Sequence, residues 1–199
     1  ETFRRHRGEY LQPRNQVRAG IPHVFHSAES GVVKNRLDLA KWLVSQDNPL
    51  GARVAVNRAW REFFGSGLLR TAGDFGTQSE QPSHPALLDH LAVRFMKHDW
   101  SVKLLHRHIA LSSVYRQALA SPPEVDPENR WLSVFPSRRM TGEVLRDAFL
   151  SASDSLVGTM GGPSVYPPQP ASVMRLAYGA PAWDVSRGED RFRRSLYTF

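Results

Sequence analysis

Apolar residues recur at helical spacing in five stretches of this chain. The stretches run from Arg36 to Ser45, from Pro49 to Phe64, from Pro85 to His98, from Ser101 to Ser113 and from Thr141 to Val157. Asn35, Asn48 and Ser101 stand at the start of three of them, where a short polar side chain caps exposed backbone N–H groups. The 3.6-residue period predicts five amphipathic helices. The fourth has apolar residues on two sides, which predicts a central position.

Both ends of the chain are rich in proline and glycine. Gly8, Pro13, Gly20, Pro22 and Gly31 interrupt the first 35 residues. The stretch 161–170 cannot be helical, whereas residues 193–199 allow a short β segment. No helix-strand alternation occurs, so we predict a mainly α fold. It comprises an irregular N-terminal arm (1–35), a helical core domain (36–157) and a Pro/Gly-rich extension (158–199).

A loop at residues 65–84 separates the second and third helices. Structureless loops longer than about 15 residues are uncommon in compact domains unless they are functional. Arg53 and Asn57 fall beside Trp60 on the rim of the second helix's aromatic face, where a buried guanidinium needs an acceptor. We expect the Asp74 carboxylate to be that acceptor, in an ion pair that pins the loop to the helix.

The same loop region holds a candidate polar cluster. Its members are Arg53, Asn57, Asp74 and His84. Two interpretations remain open for them: a purely structural cluster, or a ligand-binding site.

Three further residues are weak catalytic candidates: His106, Glu143 and Asp147. The two carboxylates are four residues apart on one helix face and could divide acid and base roles, although any solvated helix shows such a charged stripe. His106 and His108 are two apart on a helix and point about 200° away from each other, so they cannot chelate one ion. No local spacing predicts a metal site.

Composition excludes several classes of function. The 199 residues include no cysteine, which excludes disulfides, thiolate zinc sites and covalent haem attachment within them. No apolar run approaches the roughly 18 residues that span a bilayer. The net charge is +7, but the basic residues are scattered, so nucleic-acid binding is not predicted. The chain opens at Glu1 without an initiator Met, and we expect an internal fragment of a longer protein.

A series of motifs resembles a known family. In chain order they are Asn48-Pro49-Leu50, Arg53 to Trp60, Phe64 to Leu68, Asp74-Phe75-Gly76, His84-Pro85, Trp100-Ser101, Leu105-His106-Arg107, Tyr115-Arg116-Gln117, Asn129-Arg130, Arg138-Arg139, Arg146-Asp147-Ala148, Gly161 to Val165 and Arg193 to Tyr197. Together they resemble the planctomycete-specific family known as domain of unknown function 1553. The match extends over nearly all of the chain.

The resemblance implies a context without a reaction. Members are typically large exported proteins, often with a cytochrome-c-like domain and a second planctomycete-specific domain. An extracytoplasmic location and partner domains in the same polypeptide are therefore expected, with haem only elsewhere in the full-length protein. The family domain usually continues beyond Phe199, which implies truncation there. Oligomeric state is not indicated by any of these features.

Two functional hypotheses follow. The first is a non-catalytic binding or scaffolding domain, and the alternative is an extracytoplasmic enzyme such as a hydrolase acting on a polymer. An enzyme needs polar residues that converge in an open cleft. The residues whose positions decide between the two hypotheses are Arg53, Asn57, Asp74, His84 and His106.

Overall fold

The computed structural model describes residues 2–25, 33–170, 172 and 183–199. They belong to two compact units, Glu1–Ser137 (unit 1) and Arg138–Phe199 (unit 2). The described residues contain the helices α1 (Arg36–Leu43), α2 (Gly51–Phe64), α3 (Pro85–Lys97), α4 (Val102–Ala110) and α5 (Gly142–Ala152), and the strands β1 (Thr2–Arg5) and β2 (Pro13–Val17). The predicted mainly α fold is confirmed.

The N-terminal arm contains a short hairpin that the sequence did not indicate. Strands β1 and β2 pair antiparallel, with Thr2 opposite Val17 and Phe3 opposite Gln16. Every residue of β2 is exposed. A strand with no buried face lacks the apolar alternation by which strands are recognised, which explains why the arm reads as irregular.

The core of unit 1 is a helix-on-helix contact between α2 and α3, to which α4 adds a third side. Its buried side chains recur at three- and four-residue intervals: Ala52, Val56, Trp60 and Phe64 from α2, Leu88, Leu91, Ala92 and Phe95 from α3, and Leu105 and Ile109 from α4. Trp60 and Phe64 stack with ring centroids 4.3 Å apart. The aromatic face predicted for the second helix therefore lies in the core.

Side-chain caps set the helix starts. Asn48 accepts hydrogen bonds through Oδ1 from the backbone N–H groups of Leu50 (2.9 Å) and Gly51 (3.2 Å). The helix therefore begins two residues later than Pro49. Gly65, with φ of 82°, ends it in the left-handed conformation that glycine adopts without strain. Side-chain oxygens of Asn35, Ser101 and Thr141 cap α1, α4 and α5.

Helix α4 packs through one side only. Leu105 and Ile109 are buried, whereas Leu104 and Leu111 are 48% and 59% exposed. The predicted central position is therefore wrong. Only the Leu105 side of the helix joins the core, and its second apolar side remains open to solvent.

Unit 2 is built around contacts between α5 and the C-terminal residues. Isolated parallel β-bridges join Val157 to Arg193 and Val165 to Thr198. A short 3-10 helix, Ser195–Tyr197, lies between the bridge residues Arg193 and Thr198, so residues 193–199 have isolated bridges in place of the β segment that the sequence allowed. The division at Ser137 places α5 with the Pro/Gly-rich extension. The domain limits drawn from the sequence stay a prediction.

Candidate functional site

Asn57 is the centre of the predicted polar cluster, and it is completely buried. Its Nδ2 donates to the Leu69 carbonyl oxygen at 2.8 Å, and its Oδ1 accepts from the Leu69 backbone N–H at 2.9 Å. The carboxamide thus pairs with both backbone groups of one residue, as a neighbouring strand would. Since Leu68 and Leu69 are also buried, Asn57 fixes the start of the 65–84 loop inside unit 1.

The two ends of that loop are held together. The Leu68 carbonyl oxygen accepts from the backbone N–H of Ser83 at 2.8 Å and from its Oγ at 3.3 Å. Arg70 pairs with Glu128, and Arg130 approaches Glu80 at 3.8 Å, at the exposed edge of the loop. The loop is thus a closed structure whose ends are fixed by backbone hydrogen bonds.

The predicted ion pair between Arg53 and Asp74 is wrong. Arg53 Nη2 lies 2.6 Å from Asp89 Oδ1, on the neighbouring helix α3, and both side chains are nearly half exposed. Asp74 instead accepts from the Gly76 backbone N–H at 2.8 Å and stabilises a local turn. Because Arg53 lies at the margin of the helix pair, its guanidinium is hydrated and needs no buried acceptor.

The histidine candidates have separate surroundings. His84 precedes α3, with Nδ1 3.0 Å from Ser83 Oγ and its ring edge-on to Trp131 at 5.8 Å. His106 is exposed on α4 and makes an edge contact of 5.2 Å with the Phe63 ring.

The structure gives the five candidate residues separate local partners. The residues in question are Arg53, Asn57, Asp74, His84 and His106. Each is held by a different local partner, and no hydrogen bond or ion pair among the described residues joins any two of them. Attachment of the 65–84 loop to α2 through Asn57 gives the cluster a structural explanation.

The two carboxylates of α5 have different roles. Asp147 Oδ1 accepts from the Ser195 backbone N–H at 2.8 Å. Glu143 is fully exposed in the first turn, where its own backbone N–H and then the Thr141 hydroxyl lower the pKa of its carboxyl. A solvated carboxylate that stays ionised does not suit general-acid chemistry, and Asp147 is occupied structurally. The structure does not pair them as acid and base.

Arg146 explains the orientation of α5. Its Nη1 donates to the Arg193 carbonyl oxygen at 2.9 Å and to Ser195 Oγ at 3.1 Å, and its Nη2 donates to the Arg191 carbonyl oxygen at 2.7 Å. The charged side of the helix is thus fixed to the C-terminal residues of its own unit. These partners lie more than forty positions away in the sequence, and no local sequence pattern predicts them.

The buried guanidinium of Arg193 forms the polar centre of unit 2. Arg193 is 5% exposed, and its guanidinium donates to the carbonyl oxygens of Thr159, Gly161 and Pro163. It also lies over the Tyr197 ring, 4.2 Å from the centroid. Carbonyl dipoles and an aromatic face replace part of the lost hydration of this cation, whereas its Nε has no hydrogen-bond partner among the described residues. The glycine-rich turn at 158–164 is thereby fixed around it.

The apolar side of α5 is exposed. No residue of the helix is buried, and Val144, Leu145 and Phe149 are 53%, 44% and 67% accessible. A charged stripe of this kind is usual for a solvated helix, but in α5 the charged side contacts the C-terminal residues and the apolar side is exposed. Polar contacts of Arg146 and Asp147 with the C-terminal residues determine the orientation of α5. Exposed apolar surface of this kind is typical of interaction sites. We refer to the apolar side of the helix as the α5 face; it comprises Val144, Leu145, Ala148, Phe149 and Ala152.

Comparison with known proteins gives one result. The model of the family described as PSD1, protein of unknown function (DUF1553), matches residues 35–199. No curated protein and no solved structure matches the chain. Among the described residues, no helix is long and apolar enough to cross a membrane, and no group of three or more His, Asp or Glu residues could hold a metal ion.

Replacing Asn57 with alanine should destabilise unit 1. The variant leaves the N–H and carbonyl groups of Leu69 buried without partners, each at a cost of about 1–3 kcal/mol. We expect a loss of about 2 kcal/mol or more in the free energy of unfolding, measured by urea denaturation. Arg53→Ala and Asp74→Ala, which change exposed groups, should each cost less than about 1 kcal/mol. Similar losses in all three variants would contradict this role of Asn57.

Gly67→Ala should weaken the same attachment. A β-carbon at Gly67 would lie 2.6 Å from Asn57 Nδ2 and 2.6 Å from the Leu69 carbonyl oxygen, closer than real contacts allow. We expect a loss of about 1–3 kcal/mol by the same measurement, since the packed backbone must shift. Gly73→Ala is the matched control, because nothing lies within 4 Å of its β-carbon. If Gly67→Ala unfolds at the same urea concentration as Gly73→Ala, the close packing is disproved.

Proposed function

We propose that this chain, which belongs to the DUF1553 family, is a non-catalytic binding or scaffolding domain that contacts another domain of the same polypeptide through its α5 face. The observation that carries the proposal is the orientation of α5: its charged side is bonded inside unit 2, and its apolar side lies in solvent.

The α5 face cannot turn inward without loss of polar contacts. Rotation of the helix would break the bonds of Arg146 to three C-terminal groups and the bond of Asp147 to the Ser195 N–H. Charge-assisted bonds of this kind contribute about 1.5–3 kcal/mol each. The exposed orientation is therefore held firmly, and its apolar surface is available to a partner.

Burial of this face by a partner would be favourable. Phe149 is 67% and Leu145 is 44% exposed, and each Å² of apolar surface removed from water contributes about 25 cal/mol. Aromatic anchors surrounded by smaller apolar residues are typical of the centres of protein interfaces. Phe149, with Ala148 and Ala152 beside it, has this arrangement.

The remaining context rests on the family resemblance. We place the chain inside a large exported planctomycete protein, in an extracytoplasmic compartment, in which a cytochrome-c-like domain elsewhere in the polypeptide carries haem. Other domains of that polypeptide are the proposed partners of the α5 face. The alternative, a polymer hydrolase, depends on convergence of the polar cluster. Separate local partners for its four residues and for His106 favour the binding domain.

Hydrogen exchange tests the docking. Backbone amides of residues 142–152 should exchange more slowly in the full-length polypeptide than in this chain alone, because the partner domain restrains the helix. Phe149→Glu in the full-length polypeptide should abolish that difference, since a charge in an apolar interface is costly. Val125→Glu is the control, at a side chain 91% exposed in unit 1, and should keep the difference.

Three outcomes contradict the proposal. Equal exchange of residues 142–152 in the two proteins would show that no domain covers the α5 face. An unchanged exchange difference in Phe149→Glu would place the contact elsewhere. Dimerisation of this chain in sedimentation velocity that Phe149→Glu abolishes would show that the partner is a second copy.

A further inference from the structure

Helices α3 and α4 form an open groove in unit 1 that is independent of the α5 face. Its volume is about 260 Å³. Helix α3 contributes Leu91, Arg94, Phe95 and His98, whose spacing places them on one helix face. The other wall comes from Ser101, Leu104, Leu105, Arg107, His108 and Leu111.

The floor and one rim of the groove are apolar. Leu91, Phe95 and Leu105 form the floor and are at most 6% exposed. Leu104 and Leu111 stand above them, half open to solvent, on the side of α4 that does not join the core. An apolar ligand body could therefore contact both the floor and these two leucines.

The charged groups of the groove are all basic. Arg94 and His98 reach it from α3, and Arg107 and His108 reach it from α4, while no Asp or Glu is among its lining residues. In the described part of the chain, neither guanidinium has an ion-pair or side-chain hydrogen-bond partner. Two cations that lack counter-charges face the same concave surface.

His108 lies close to basic groups of helix α3. Its ring lies 6.5 Å from the ring of His90, on α3. The pKa of His108 lies below its ordinary value, first because of burial and then because Arg94 and His90 oppose a further positive charge. A bound anion would reverse this effect of the two neighbours. The lining, with two arginines and no carboxylate, favours a negatively charged ligand.

We propose that the α3–α4 groove binds a small amphipathic carboxylate. The carboxylate would lie between Arg94 and Arg107, because a planar guanidinium matches a carboxylate with two parallel hydrogen bonds. The aliphatic or aromatic body would cover Phe95 and Leu105 and contact Leu104. A volume of about 260 Å³ lies just below the range of about 300–1,000 Å³ for drug-sized ligands, which favours an occupant of the size of octanoate or phenylpropionate.

Calorimetric titration of this chain with a series of simple probes tests the ligand class. Octanoate should bind at least about tenfold more tightly than butyrate, since each methylene that leaves water strengthens binding by up to about fourfold. Octanol, which lacks the charge, and sulfate, which lacks the apolar body, should each bind at least about tenfold more weakly than octanoate. Chemical shifts in an NMR titration should change at residues 91–111.

Variants assign the contacts. Arg94→Gln and Arg107→Gln should each weaken octanoate binding about fivefold or more, and Leu104→Gln should weaken octanoate more than butyrate. Arg58→Gln, which removes an exposed cation from α2, is the charge-matched control and should leave the affinity unchanged. All four positions are exposed, so thermal unfolding midpoints should stay close to that of the parent chain.

Several results would overturn the proposal. Equal affinity for sulfate and octanoate would indicate a plain anion site, and equal affinity for octanol would indicate a purely apolar one. Failure of octanoate to bind at millimolar concentration, or a loss of affinity in Arg58→Gln as large as in Arg94→Gln, would exclude the carboxylate site. None of these results bears on the α5 face, because the groove is formed entirely within unit 1.

Discussion

The carboxamide of Asn57 and the backbone of Leu69 form the contact on which unit 1 depends. The N–H and carbonyl groups of a buried loop need hydrogen-bond partners. Asn57 supplies one donor and one acceptor to the backbone of Leu69, shortly after the end of α2. With Leu69 fixed, Leu68 is also buried and its carbonyl oxygen receives Ser83, just before α3. One side chain thereby links the end of α2 to the beginning of α3.

In unit 2 a cation supplies the hydrogen-bond partners that the irregular backbone needs. Arg193 is buried among the carbonyl oxygens of a glycine-rich turn and against the Tyr197 ring. Arg146 binds three further groups of the C-terminal residues. In both units, polar side chains fix irregular backbone that apolar packing alone could not hold, because buried backbone groups need partners. The start of the 65–84 loop and the glycine-rich turn at 158–164 are fixed in this way.

The sequence predicted the features that depend on neighbouring residues, such as helix caps. Asn35 and Ser101 cap helices as predicted, because the cap depends on three or four consecutive residues. The partner of Arg53 depends on how α3 lies against α2, which brings Asp89 to it from 36 positions away. The orientation of α5 was likewise unpredictable, because the contacts of Arg146 lie in the C-terminal residues. Periodicity identifies an amphipathic helix without saying which side meets the protein.

That last distinction bears directly on function. An amphipathic pattern is satisfied when its apolar side is buried, and in α5 and on the second side of α4 the described residues do not bury it. The two surfaces differ in charge: the α5 face is purely apolar, whereas the α3–α4 groove adds two arginines, Arg94 and Arg107, that have no ion-pair partner among the described residues. A purely apolar surface suits a protein partner, because the affinity of the complex increases with the apolar area that the partner buries. An apolar groove with fixed charges suits a small ligand, because it selects the ligand by shape and by the sign of its charge. The two proposed recognition surfaces share no residue, so a variant of one leaves the side chains of the other in place.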